Sequence, residues 1–164
     1  MLERIRHPGP AMRSKTVFII AFFGALVACS HAPRKVVNPP RASIQQLQVR
    51  GDGSWKLDVR LQNFSNVPTA FATLHAQLSV GGQDAGSIDL APGITVGPES
   101  ADVVSATLKP AIGGKLAVAT ALAAGQSQRY SLKGTIVTTK PKGSYPFEFE
   151  SSLNPAPGLP GVMR

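Results

Sequence analysis

The chain has 164 residues, 43% hydrophobic and 16% charged, with 16 Gly, 14 Pro and a single Cys; that is material for one packed domain, and so much Gly and Pro works against long uninterrupted helices. The formal charge of +8 falls to +5 beyond residue 28, where 13 basic side chains face 8 acidic ones spread along the chain, a pattern that argues against a phosphate-tracking stripe and hence against nucleic-acid binding. One cysteine forms no internal disulfide, and His7, His31 and His75 are too scattered to make a zinc set, so no metal and no cofactor is expected.

From Met12 the chain reads MRSKTVFIIAFFGALVACS, with Arg13 and Lys15 as a positive segment and Val17 to Ala28 as an apolar run of 12 residues. A spanning helix needs about 20 apolar residues, whereas a signal-peptide core needs roughly 7 to 15, so the run reads as an export signal. Pro8 and Gly9 break any helix ahead of it, which makes Met12 an alternative start. Leu26-Val27-Ala28-Cys29 resembles the lipobox of bacterial lipoproteins. The resemblance implies that residues 1–28 are a signal peptide recognised at Leu26, Val27 and Ala28 and removed. It implies too that Cys29 is lipidated by a diacylglycerol thioether, and that membrane lipid is its partner. Several acyl chains, at about 0.8 kcal/mol per buried methylene, anchor a protein durably. Ser30 stands where aspartate would mark inner-membrane retention in enteric bacteria, so the implied location is the cell envelope, at the periplasmic face of the outer membrane.

Residues 29–41, the lipidated Cys followed by SHAPRKVVNPPR, have no hydrophobic period and read as a flexible tether. Its Arg34, Lys35 and Arg41 either touch anionic headgroups or simply keep the tether soluble. The domain proper is expected over 42–153. Ile44, Leu47 and Val49 suggest an irregular opening strand, and Trp55 to Gln62 alternates apolar and polar residues without an error, placing Trp55, Leu57, Val59 and Leu61 in the core. That makes Trp55 a core residue rather than a sugar platform. Ala72, Leu74, Ala76, Leu78 and Val80 form the next inward row, with His75 on the wet face. Gly81-Gly82-Gln83-Asp84 predicts a hairpin turn into a strand over Gly86 to Leu90, closed by Ala91-Pro92-Gly93.

Another extended run follows at Ala101 to Leu108, around Val103 and Val104. Lys115 to Ala124 is alanine-rich and ends at Gly125, predicting one short helix with Leu116, Ala119 and Leu122 on its inner face. Arg129 to Thr139, with Tyr130, Leu132 and Ile136 inward, and Ser144 to Leu153, with Tyr145, Phe147, Phe149 and Leu153, complete the set of strands. Residues 154–164 are Pro- and Gly-rich and read as a flexible tail. About seven strands, each with one apolar face, predict a mainly β fold: an antiparallel sandwich or barrel with one short helix.

Catalytic groups are hard to assemble from this sequence. His75 is the only histidine in the domain, and no Gly-x-Ser-x-Gly occurs. Glu148 and Glu150 share a strand face but read as the solvated side opposite Phe147 and Phe149. Gly81-Gly82 and Gly113-Gly114 read as turns, not phosphate loops. The chain is therefore read as a non-enzyme.

The order of segments resembles the water stress and hypersensitive response (WHy) domain of the type-2 late embryogenesis abundant (LEA) proteins. The stretch Val59 to Asn66 corresponds to that family's early strand and polar turn, and Leu74 to Gly86 follows it. Pro98 to Val104 and Tyr130 to Ile136, the latter with a central Gly134, match the later segments. Asn63-Phe64-Ser65-Asn66 lacks the family's Pro after the first Asn, which predicts a looser turn. The resemblance implies an immunoglobulin- or fibronectin III-like β-sandwich, no catalytic residues, and a protective or binding role in stress and desiccation tolerance. The alternative is an accessory subunit of an envelope assembly or transport complex, recruiting a protein partner through an exposed strand edge.

Overall fold

In the computed structural model, which describes residues 34–164, the extended runs of the sequence pair into two antiparallel sheets. In chain order the elements are β1 (Arg41–Val49), β2 (Trp55–Gln62), β3 (Thr69–Val80), β4 (Gln83–Leu90), β5 (Ile94–Val96), β6 (Ala101–Leu108), α1 (Ile112–Ala124), β7 (Gln128–Lys140), β8 (Lys142–Leu153) and β9 (Val162–Met163). One sheet is ordered β6-β2-β1-β9; the other is ordered β4-β3-β7-β8, with β5 also paired to β3. The fold is mainly β with one helix, and the two sheets bury one shared core, as the alternation requires. The described residues form nine strands, two more than the seven expected, because the short β5 and β9 carry no alternation a sequence reading can detect.

Trp55, Leu57, Val59 and Leu61 of β2 are all fully buried, so the perfect alternation does mark the inner face. Trp55 Nε1 is buried without a hydrogen-bond partner among the described residues. That costs about 1–3 kcal/mol, which burial of so large a ring offsets. Ile44 and Leu47 of β1 both face the core although they are three apart. A register shift between Ile44 and Gln46, the mark of a bulge, resolves the phase. The same device corrects β3. Leu74, Ala76, Leu78 and Val80 point inward as expected, but shifts around Phe71 and Thr73 hand the next core position to Phe71, leaving Ala72 only half-buried.

Gly81 (φ 61°) and Gly82 (φ 74°) form the β3–β4 turn that opposes Val80 to Gln83. Gly125 (φ 63°) ends α1 in the left-handed conformation, its N–H bonded to Leu122 O. The helix starts earlier than Lys115, and its inner face is Gly114, Val118 and Ala121, with Leu122 half-buried beside them, while Leu116 and Ala119 are exposed. Close approach decides this. A Cβ at Gly114 would lie 2.5 Å from Ala85 Cβ, so Gly113-Gly114 form the helix start against β4, not a turn. Leu116 and Ile112 are left 66% and 86% exposed.

The terminal expectation also changes. Residues 154–164 are not a frayed tail: Met163 and Val162 pair with Leu47 and Gln48 of β1, and both side chains are buried. Asn154 and Arg164 exchange backbone hydrogen bonds at 2.6 and 2.8 Å.

Candidate functional site

Leu26, Val27, Ala28 and Cys29, expected to form a lipobox, lie outside the described residues. What the structure describes is the end of the domain where the chain arriving from them joins the fold. The expected tether does not run to residue 41. Val36 N–H donates to Asn66 Oδ1 (2.7 Å) and Asn66 N–H donates to Val36 O (3.2 Å). Asn38 donates from its N–H to Ser65 Oγ (3.0 Å) and from Nδ2 to Phe64 O (2.8 Å), and Pro40 is buried. The Arg41 guanidinium lies 5.2 Å from the Phe64 ring centroid and 5.4 Å from that of Phe149, bridging β1 to β8.

These contacts depend on the turn at 63–68, which is tighter than its missing Pro suggests. Asn63 is 1% exposed. Its Nδ2 donates to Val67 O and Gly97 O, both at 2.8 Å, and to Val96 O at 3.3 Å. Its Oδ1 accepts from Ser65 N–H (2.9 Å) and Thr69 Oγ1 (3.0 Å). One buried amide thus ties the β2–β3 turn to the loop before β6, replacing the rigidity a proline would supply. The sequence marked Asn63 as a turn residue; its acceptors at 96 and 97 are too distant in sequence for any local signal to reveal them.

Charge collects around this end. The pairing of Lys140 with Ala70, and of Ala101 and Arg41 with Gln62, brings the β7–β8 turn, the 97–100 loop and the chain entry to the same end of the two sheets. Lys35, Lys140 and Lys142 are exposed there, Val36 and Val37 of the chain entry are each 45% exposed, and the acids at that end are Glu99 and Asp102.

Elsewhere the polar groups form surface pairs. His75 Nδ1 contacts Asp89 on the wet face of the β3–β4 hairpin, with both side chains about two-thirds exposed (67% and 68%). Glu148 pairs with Lys133 at 3.2 Å, and Glu150 is likewise exposed, so the two acids occupy the solvated face of β8 as expected. Glu150, Arg129, Ser131, Ser151, Ser152 and Gly82 line an open recess of about 380 Å³ at the opposite end. Beneath it the Tyr130 hydroxyl accepts from Ile44 N–H (3.1 Å) and donates to Ile44 O (3.3 Å), and burial pushes its pKa up. Among the described residues no three His, Cys, Asp or Glu side chains are grouped as metal ligands, and no helix is long and apolar enough to cross a membrane. Trp55 is fully buried and offers no ring face to a ligand from solvent.

No protein-family model matches the sequence, and no curated protein matches it. Solved structures do. A protein from Archaeoglobus fulgidus is 20% identical with a TM-score of 0.40, covering 74% of this chain and 98% of its own. The solution structure of AT1g01470 from Arabidopsis thaliana is 11% identical with a TM-score of 0.47, covering 76% and 83%. A putative late embryogenesis abundant (LEA) protein, At2g46140.1, is 14% identical with a TM-score of 0.46, covering 87% and 79%.

Proposed function

We propose that the chain is an envelope lipoprotein, anchored through acylated Cys29, whose β-sandwich is a non-enzymatic binding or shielding module in stress and desiccation tolerance. The observation that carries the anchoring is the register of three features: a basic segment, an apolar run of 12 residues, and Leu-Val-Ala-Cys at its end. The protective role rests on the resemblance of residues 59–66, 74–86, 98–104 and 130–136 to the WHy domain. A module of this kind works through its surface, where among the described residues His75 pairs with Asp89 and Lys133 with Glu148. Intact-mass spectrometry of the membrane fraction from the native host tests the anchor. A species starting at Cys29 with added acyl mass is expected; an unprocessed soluble chain overturns the reading. Protection of a test enzyme through drying tests the role.

A second reading, an accessory subunit of an envelope complex, is favoured by the outer face of α1. Ile112 and Leu116, one helical turn apart, are 86% and 66% exposed there, an apolar pair that a partner surface can cover. A stoichiometric partner in a pull-down of the lipidated protein, lost in Leu116→Lys, selects this reading over the first.

A further inference from the structure

We propose that the end of the sandwich built from the chain entry and the β7–β8 turn is a docking face for an anionic phospholipid bilayer, which orients the domain on the membrane rather than leaving it free on a leash. The inference rests on the lipoprotein reading above and adds to it which surface meets the lipid.

Reach comes first. Lys35 is six residues beyond Cys29, and Val36 is already fastened to Asn66. A fully extended chain spans at most about 3.6 Å per residue, so the seven residues from Cys29 to Val36 allow a leash of at most about 25 Å. Chemistry agrees with reach. The face presents Lys35, Lys140 and Lys142 as exposed ammonium groups, with Val36 and Val37 of the chain entry 45% exposed. Lysines reach headgroup phosphates while small aliphatic side chains enter the interfacial layer. Glu99 and Asp102 are the acids at that end, so positive charge prevails. The basic side chains at 35 and at 140 and 142 come from two segments over a hundred residues apart in sequence; Val36 is fastened to Asn66, and Ala70, four residues on, pairs with Lys140.

Each base held at an anionic surface is favoured about fivefold over its place in solution. The test is acetylation footprinting of the lysines in the acylated protein, reconstituted in vesicles of phosphatidylcholine with or without phosphatidylglycerol. Lys35, Lys140 and Lys142 are expected to label about fivefold more slowly in the anionic vesicles. In 1 M salt, where the screening length is about 3 Å, the protection should vanish. Lys109 and Lys115, beside the opposite end, serve as internal references and should label equally in both. Equal labelling of all five lysines, or protection of Lys109 and Lys115 instead, overturns the docking face while leaving the anchor intact. Absence of acyl mass on Cys29 in the same preparation overturns the lipoprotein reading and the docking face with it.

Discussion

Replacing Gly134 by alanine places a methyl group where β3 and β7 come closest. The new Cβ would lie 2.0 Å from His75 O and 2.6 Å from Ala76 Cα, both backbone atoms in the middle of the sheet. No side-chain rotation relieves this, so the strands must part by more than 1 Å to restore ordinary contact near 3.4 Å. Overpacking costs about 1–3 kcal/mol, and each ladder hydrogen bond weakened by the opening adds about 1 kcal/mol, so a loss of about 3 kcal/mol is expected. Urea unfolding of the full chain, followed through the fluorescence of the single, fully buried Trp55, reads the loss directly. It corresponds to roughly 10 °C in Tm for a domain of this size. Gly51→Ala is the companion: nothing lies within 4 Å of its Cβ, and its stability should be unchanged or raised by about 0.5 kcal/mol. A loss below about 1 kcal/mol for Gly134→Ala, or equal behaviour of the two variants, would refute the close-approach argument.

Asn63→Ala strips the amide that serves Val67, Gly97, Ser65 and Thr69; a loss of about 2–4 kcal/mol in urea unfolding is expected, with faster amide exchange around residues 63–69 and 97–100. Tyr130→Phe should cost about 1–2 kcal/mol at neutral pH through the two lost bonds to Ile44. Because burial raises the Tyr130 pKa, the folded state holds its proton longer than the unfolded chain. That contribution is complete below pH about 10 and is lost as pH rises through the raised value, so the variant should show a shallower alkaline decline in Tm. Removing residues 160–164 exposes the contacts of Val162 and Met163; an upper-bound loss of about 3–6 kcal/mol is expected, measured by thermal unfolding.

The sequence by itself determined the parts of this protein whose cause is local. The alternation of Trp55 to Gln62 assigns β2 and its inner face, since side chains in a strand repeat every two residues. Two glycines at 81 and 82 place the hairpin, and Gly125 stops the helix, because both positions need positive φ. The resemblance of Leu26-Val27-Ala28-Cys29 to a lipobox is likewise read from order and length along the chain. Tertiary structure decided the rest. Which face of α1 turns inward follows from how closely Gly114 approaches Ala85, not from which residues are most apolar. Asn63 becomes a hub only because the 96–97 carbonyls arrive beside it, and the tail becomes β9 only because β1 offers it an edge. The basic end likewise depends on pairing register, which sets Lys140 against Ala70, four residues after the Asn66 that fastens the chain entry. Periodicity tells a strand which side to bury; it does not name the partner, and contacts between residues distant along the chain are fixed only when sheets have closed over a common core.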